Sequence, residues 1–102
     1  MNSILESKEQ SKSVKLKLFV TGRTPGAVRA RQALESLIES HPNADLNIEV
    51  IDVLADPDAA LVDSVYATPT IIRTGGGIER RLIGDLSSVE KLEIGLLLEV
   101  AA

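Results

Sequence analysis

Apolar residues occupy every second position from Val14 to Val20, with lysines between the first of them. A period of two is typical of a β-strand, because successive side chains of a strand point to opposite faces. The segment from Leu46 to Leu54 also begins with alternation and then becomes almost wholly apolar. A continuous apolar run predicts a strand that is buried on both faces.

Between these two strands the apolar spacing changes to three and four, which predicts a helix. Thr24 suits the N-cap and Pro25 the first helical position, while Pro42 and Asn43 end the helix. The expected inward-facing residues are Ala27, Ala30, Leu34, Leu37 and Ile38. A helix that joins two such strands predicts a right-handed βαβ unit with parallel strands.

The second half of the chain predicts a short helix followed by a hairpin. Asp56 and the proline after it repeat the helix-start signal, and this helix should extend to about Ser64. Strands are expected at Thr70 to Thr74 and at 78–83, joined by Gly75-Gly76-Gly77, because glycine accepts the positive φ of hairpin turns. The triple glycine lacks the context of a phosphate-binding loop.

A last helix follows from Ser87 with Glu90 three residues later, which is the spacing of a capping box. Its inward side should carry Val89, Leu92 and Leu96. The run from Gly95 to Val100 also fits a buried strand, and periodicity leaves both possibilities open. The predicted fold class is α/β, a thioredoxin-like βαβαββα mixed sheet with flanking helices.

Pro69 stands at the entry to the third strand, and its ring pushes Thr68 toward extended backbone. Local reasoning favours an ordinary strand-initiating trans proline, because only about 5–6% of X-Pro bonds in folded proteins are cis. In the thioredoxin-like fold, however, Pro69 would be the counterpart of the cis proline that faces the active site.

Composition narrows the possible functions of the 102 residues. They predict a flexible N-terminal arm, residues 1–13, and one domain, residues 14–102. Two aromatic residues and a net charge of −4 disfavour nucleic-acid binding. Without a long apolar run or a secretory signal, no membrane partner and a cytoplasmic location are expected.

Cysteine is absent, which excludes disulfides, thiolate catalysis and cysteine-bound metals. Gly22-Arg23-Thr24-Pro25 occupies the place of the Cys-x-x-Cys motif of thioredoxin-like oxidoreductases. His41 is the only histidine, no acid is expected beside it, and it is expected to act at a helix end. The aspartates at 52, 56, 58 and 63 match no calcium loop. We therefore expect no metal, no cofactor and no catalytic residue.

Arg80 and Arg81 should lie on opposite faces of the return strand, and Arg73 is expected to join one of them across the hairpin. A charged edge strand that discourages aggregation would explain them, and so would a basic contact for an acidic partner surface.

The chain resembles the KaiB family of cyanobacterial circadian clock proteins over roughly Val14 to Leu98. The matching segments are Lys15-Leu-Lys-Leu-Phe-Val20, Gly22, Thr24-Pro25, Val28-Arg-Ala30, Val50-Ile-Asp-Val-Leu54, Pro57, Ala67-Thr-Pro-Thr70, Arg80-Arg81, Ile83-Gly-Asp-Leu-Ser87, Glu90-Lys91 and Ile94-Gly-Leu96. The Ile-Gly-Asp-Leu-Ser run is more similar to KaiB than to the KaiB-like domain of the kinase SasA.

The resemblance implies a non-enzymatic regulator that binds the ATPase KaiC, times its phosphorylation cycle and competes with SasA. It also implies a metamorphic protein with a tetrameric ground state, βαββααβ, that shares the first half, and a rarer thioredoxin-like state that binds KaiC. Self-association as a dimer or tetramer is a corresponding expectation. The residues expected to define the fold are Pro69, Gly75, Gly84, Asp85 and Gly95.

Some residues depart from the family pattern. The three glycines at 75–77 replace three prolines, which changes the freedom of the hairpin. Glu49 and Asn47 replace basic and small residues on the strand that meets KaiA, so KaiA binding is doubtful. Ser64 replaces a lysine near the KaiC-facing surface, and Leu97 replaces an aspartate.

The leading hypothesis is thus a KaiB-like adaptor that binds a KaiC-type ATPase. The expected partner-binding residues are Arg29, Asp56, Ser64, Arg73, Arg80 and Arg81, together with the helix from Asp56 to Ser64. Two alternatives remain: a thioredoxin-like enzyme that uses glutathione or another thiol ligand at Pro69, and a stress-response binding module with another protein partner.

Overall fold

A computed structural model describes residues 13–98, in which a four-stranded sheet carries three helices. The elements in chain order are β1 Val14–Val20, α1 Pro25–Ser40, β2 Leu46–Asp52, α2 Pro57–Val62, β3 Thr70–Thr74, β4 Arg80–Ile83 and α3 Val89–Gly95. The predicted βαβαββα order is confirmed, and the alternative βαββααβ order is not the one observed. Apart from residue 13, the predicted N-terminal arm lies outside the described residues.

The strand order is β2-β1-β3-β4, with β1 parallel to β2 and β3 antiparallel to both of its neighbours. This is the mixed sheet that the sequence predicts. Alternation along β1 sends Leu16 and Leu18 to the face covered by α1 and α3, here called the two-helix face. Phe19 points to the opposite face, which α2 covers and which is here called the single-helix face.

The two faces hold hydrophobic cores of very different size. The core of the two-helix face contains Val14, Leu16, Leu18, Val20, Ala27, Ala30, Ala33, Leu34, Leu37, Ile71, Leu86, Leu92, Leu96 and Leu98. The core under α2 contains Phe19, Ile51, Ala60, Val65 and Ile72. Because buried apolar area is the main source of stabilisation, α2 is held to the molecule by the weaker of the two cores.

Two predictions about burial are wrong. β2 was expected to be buried on both faces, but it is an edge strand whose only buried residue is Ile51, and Val50 is 38% exposed. The apolar composition of the run indicates a strand but does not show that a second neighbour is missing. Ile38, expected on the inner side of α1, is exposed, and Ala33 takes the inward position instead.

The hairpin turn follows from the glycines at 75–77, whose φ angles are +108°, +63° and +75°. A Cβ atom on Gly75 would collide with the backbone carbonyl of Ser13, whereas one on Gly77 would meet nothing within 4 Å. Proline is fixed near φ −65°, so three prolines at these positions could not adopt this turn.

The last helix begins one residue later than predicted. Its N-cap is Ser88, whose hydroxyl accepts from the Lys91 amide at 3.3 Å, while Ser87 donates to the Asp85 carboxylate. Leu92 and Leu96 are buried on the predicted inward side. Of the two alternatives for the end of the chain, the helix is observed up to Gly95. Residues 99–100 of the alternative strand lie outside the described residues.

Candidate partner-binding site

The helix α2 is short, and its ends explain why it forms. The Asp56 carboxylate accepts from the Ala59 amide at 3.2 Å, and Pro57 occupies the first helical position, as predicted. Ala60 and Val65 bury their side chains in the core of the single-helix face. These contacts fix which side of α2 points inward and leave the opposite side to solvent.

The outward side of this segment is strongly apolar. The four most exposed large apolar side chains of residues 13–98 are Tyr66 at 88%, Val62 at 81%, and Leu54 and Leu61 at 70% each. All four come from residues 54–66, and we call them the α2 surface. Clustered exposed apolar side chains of this kind mark protein–protein contacts, whereas singly scattered ones do not.

Sequence reasoning placed the partner site on this helix but missed its apolar members. A signal was available, since Leu61 and Val62 are adjacent on a helix with only one buried position, Ala60. Tyr66 is the only tyrosine of a chain with two aromatic residues.

The turn after α2 is closed by contacts from the sheet. Ser64 has a φ of +55°, and the Val65 amide donates back to the Ala60 carbonyl at 2.8 Å. Arg81 donates from Nη1 to the Ser64 carbonyl at 2.9 Å and from Nη2 to the Asp63 carbonyl at 2.7 Å. Lys17 Nζ lies 2.9 Å from Oδ2 of Asp63.

The end of α3 is held in the same way on the opposite face. Leu97 has a φ of +56°, and the Leu98 amide donates to the Glu93 carbonyl at 2.9 Å. Arg73 donates from Nη1 to the carbonyls of Leu96 and Leu97, each at 2.8 Å, and Arg80 Nε reaches the Gly95 carbonyl at 3.3 Å. The three arginines of the hairpin therefore all bind carbonyl groups at helix C-termini, where a cation also complements the helix dipole.

The expected partner-binding residues do not form one surface. Asp56, Ser64 and Arg81 lie together at α2, on the single-helix face. Arg73 and Arg80 point to the two-helix face, opposite each other in the β3–β4 register. Arg73 is only 6% exposed and so is a structural cation in this conformation.

Arg29 is exposed on α1, near the loop before α3. It is close enough to Asp85 for its charge to contribute to the lowered pKa of that carboxyl. The larger causes of that shift are the hydrogen bonds from the hydroxyl and the backbone amide of Ser87. Gly84, just before it, has a φ of +108° and donates to the Pro69 carbonyl at 3.2 Å.

The loop around Pro69 has the arrangement of the thioredoxin-like fold. The Thr68–Pro69 peptide bond is cis, so the local expectation of a trans bond is wrong and the comparison with that fold is right. A Cβ on Gly26 would lie 3.7 Å from Cδ of Pro69, which places the proline beside the start of α1. The hydroxyls of Thr21 and Thr68 are 2.6 Å apart.

Asp52 connects the end of β2 to the loop before α1. Its Oδ1 accepts from the amides of Gly22 and Leu54, each at 3.0 Å, and these two hydrogen bonds lower the pKa of the carboxyl. Asp52, Asp56 and Asp63 are each engaged in hydrogen bonds or an ion pair within the protein. Within residues 13–98 no group of three or more potential ligands could hold a metal ion.

His41 has an acidic neighbour that the sequence order hides. It is the C-cap residue of α1, and its Nε2 lies 2.7 Å from Oε2 of Glu93 on α3. The expectation that no acid is near His41 is therefore wrong, because the fold brings together residues 52 positions apart. Both side chains are largely buried, so the pair connects the ends of two helices.

A cavity of about 220 Å³ opens on the single-helix face beside α2. Its charged lining consists of Lys15, Lys17, Asp63, Glu79 and Arg81. Three of these side chains are held together, because Lys17 pairs with the Asp63 carboxylate and Arg81 donates to the Asp63 carbonyl. Among the described residues no helix combines the length and apolar character that crossing a membrane requires.

Comparison with known proteins identifies related sequences. The family described as "KaiB domain" matches residues 17–98. The circadian clock oscillator protein KaiB of Thermostichus vulcanus is 44% identical over 85 residues, which are 83% of this chain and 79% of the relative. The protein of the same name from Synechococcus elongatus is 44% identical over 81 residues, 79% of each chain.

Similar folds occur among solved structures. Thioredoxin of Fasciola hepatica aligns with a TM-score of 0.70 at 21% identity and covers 94% of this chain and 89% of its own. Trxlp from Edwardsiella tarda aligns with a TM-score of 0.72 at 22% identity and covers 94% and 93%. At such low identity these neighbours support the thioredoxin-like fold and nothing about activity.

Proposed function

Because this chain belongs to the KaiB family, we propose that it is a non-enzymatic regulator that binds a KaiC-type ATPase and modulates its phosphorylation and ATPase cycle. The relatives that match it over most of their length carry the name of a circadian clock oscillator protein. The role would be circadian or stress timing in the cytoplasm.

The observation that carries the proposal is the α2 surface. Four large apolar side chains between 70% and 88% exposed are unfavourable for an isolated chain, and burying each against a partner stabilises a complex by about 1.5–3 kcal/mol. Leu61 and Val62 of this surface lie on α2, whose inner side is held by Ala60 in the core of the single-helix face, so both are exposed without any rearrangement of that core.

Charge narrows the kind of partner surface. Residues 54–66 contain three aspartates and no basic residue, and Asp63 is the one paired with a lysine. Ser64 adds no positive charge to this segment, where the family resemblance leads us to expect a lysine. We expect the facing surface of the ATPase to be apolar with a basic rim.

KaiA is not among the partners we propose. Glu49 on β2 is acidic where the family resemblance leads us to expect a basic residue. Its Oε1 lies 3.9 Å from Nζ of Lys15 on β1, so its carboxylate forms an ion pair within the protein. The edge of β2 is open, but its acidic side chain differs from the basic residue that the family uses there.

The first test is complex formation with the KaiC homologue of the same organism. The purified chain and the ATPase are incubated with ATP over hours and separated by size-exclusion chromatography. The wild type should co-elute, whereas the double variant Val62→Ser, Tyr66→Ser should lose at least about tenfold in affinity, since each lost apolar contact is worth more than 1 kcal/mol. Ile94→Ser is the matched control, because Ile94 is 65% exposed on the other face of the sheet.

Failure of the wild type to bind at high concentration and long incubation would contradict the proposal. If the double variant and Ile94→Ser lost the same affinity, the α2 surface would not be the surface that contacts the ATPase. Glutathione transfer by the purified chain would support instead the thiol-ligand enzyme that the thioredoxin-like fold raises as an alternative.

A further inference from the structure

We propose that Arg81 is a positioning residue for the α2 surface: it holds the turn after α2 in place and does not itself contact the partner. The inference rests on the proposed function, because it concerns how the same surface is shaped. It arises from a side chain that sequence reasoning had placed in direct contact with the partner.

The geometry is that of a guanidinium directed at two successive carbonyls. Arg81 lies on the single-helix face of β4, opposite Ile72 of β3, and reaches back to the carbonyls of Asp63 and Ser64. Two separate nitrogens donate, at 2.7 and 2.9 Å. A planar group with two parallel donors fixes orientation as well as distance, which a lysine ammonium cannot do.

The turn needs this support. The amides of the turn already bind the last α2 carbonyls, whereas the carbonyls of Asp63 and Ser64 lie beyond the helix and accept from Arg81. Ser64 adopts the left-handed conformation, which is unfavourable for a residue that has a Cβ. The Val65 amide must still reach the Ala60 carbonyl to close the turn.

The same turn sets the distance between two members of the α2 surface. Val62 is the last residue of α2, and Tyr66 follows the turn directly. Both are more than 80% exposed, whereas Val65 between them is buried. If the turn opened, Val62 and Tyr66 would no longer be held in their present relative positions although neither side chain had changed.

Arg80 provides an internal comparison. It is the neighbouring arginine on the same strand, points to the opposite face and makes one longer hydrogen bond, 3.3 Å to Gly95 of α3. A loss of positive charge on β4 is therefore the same in Arg80→Gln and Arg81→Gln. Only the second variant releases the turn after α2.

The experiment compares Arg81→Gln, Arg80→Gln and the double variant Arg81→Gln, Ser64→Gly. Glycine removes the strain of the left-handed residue, so it should let the turn close without the guanidinium. Affinity for the KaiC homologue is measured beside amide exchange of Val65. Tyrosine emission adds a third signal, since Tyr66 is the only tyrosine and the chain has no tryptophan.

Arg81→Gln should weaken binding and speed Val65 exchange by about tenfold or more, the effect expected for loss of hydrogen bonds to a charged donor. It should also change acrylamide quenching of Tyr66. Arg80→Gln should leave all three signals near wild type. Adding Ser64→Gly to Arg81→Gln should restore both affinity and Val65 protection to within about threefold.

Unchanged affinity in Arg81→Gln would overturn the inference. So would a double variant that regains Val65 protection while its affinity stays low, because Arg81 would then be a direct contact. Exchange of the β1 amides verifies that each variant is folded. If Arg81→Gln unfolds, Arg81→Lys replaces it, because lysine keeps the charge but has only a point donor. Arg81→Lys should lose less affinity than Arg81→Gln, and Ser64→Gly should restore that affinity in the same way.

Should the wild type bind no KaiC homologue, the proposed function fails on its own. Amide exchange of Val65 and emission of Tyr66 then still test whether Arg81 holds the turn in the free protein. No change in Arg81→Gln would overturn the positioning role, and a change that Ser64→Gly reverses would support it.

Discussion

Asp52 is a single residue that organises two loops. Its Oδ1 binds the Gly22 amide at the end of β1 and the Leu54 amide at the start of the α2 surface. Gly22 has a φ of +51°, and a Cβ there would lie 3.4 Å from Cδ1 of Leu54. The carboxylate thus contributes to placing Leu54, although it is itself no part of that surface. Asp85 uses the same chemistry on the amide and hydroxyl of Ser87.

These two carboxyls predict how stability depends on pH. Hydrogen bonds lower the folded-state pKa of Asp52 and of Asp85 below the ordinary value of 3.8. A lowered pKa means that the folded state binds fewer protons than the unfolded state, so the stabilisation is complete above about pH 4 and is lost as the pH falls through the folded pKa. The free energy of unfolding in urea should therefore decrease below pH 4, and less steeply in Asp52→Asn.

Asp45→Asn is the control for that measurement. Asp45 is exposed, and its side chain makes no hydrogen bond among residues 13–98. Its variant should follow the wild-type curve between pH 6 and pH 3. Parallel curves for the wild type and Asp52→Asn would contradict the assignment.

The starts of helices were predictable from the sequence, because the residues that mark them are neighbours in the chain. Thr24 and Asp56 cap helices as expected because the cap, the following proline and the donating amide lie within four residues. The partners of Arg81, Arg73 and His41 could not be predicted, because they lie 17 to 52 positions away and depend on the fold. The missed exposure of β2 has the same cause.

Two arginines of the hairpin bind the C-terminal end of α3, and their contributions to stability can be compared. Arg73 is buried and carries two hydrogen bonds to the end of α3, whereas Arg80 is exposed and carries one long bond. Arg73→Ala leaves the buried Leu96 carbonyl and the partly buried Leu97 carbonyl without this donor, so the free energy of unfolding should fall by about 2–3 kcal/mol. Arg80→Ala should cost less than about 1 kcal/mol, because its bond is exposed to water. Chemical denaturation of both variants measures the difference.

Equal losses for Arg73→Ala and Arg80→Ala would show that burial does not decide the contribution of these caps. The prediction also concerns the candidate site. If Arg73 acts at the end of α3, its variant should weaken partner binding only as far as it lowers stability.

The whole molecule combines a well-anchored half with a lightly anchored one. α1 and α3 share the large core of the two-helix face, while α2 covers the small core on the other face. The sequence predicts this layout, since the βαβ unit and the hairpin each have clear patterns. It does not predict that the segment around α2, which covers the smaller core, carries the most exposed apolar side chains, because exposure depends on what the sheet leaves uncovered.

This asymmetry predicts that α2 opens while the rest of the protein stays folded. In native-state hydrogen exchange the Asp63 and Ser64 amides should exchange through a low-energy opening, and the β1 amides only through global unfolding. Val65→Ala removes two carbon atoms from the small core, so it should lower the opening free energy of α2 by about 1–2 kcal/mol and leave β1 nearly unchanged.

Leu92→Ala is the comparison, because Leu92 is buried in the large core. It should lower the protection of β1 by about 2–5 kcal/mol, with α2 following only once global unfolding becomes the easier route. If Val65→Ala lowered β1 and α2 equally, the two cores would form one cooperative unit. The partner would then meet a fixed surface. If α2 opens separately, only the molecules in which α2 is closed can bind the partner. Val65→Ala should then weaken the complex without altering any exposed side chain.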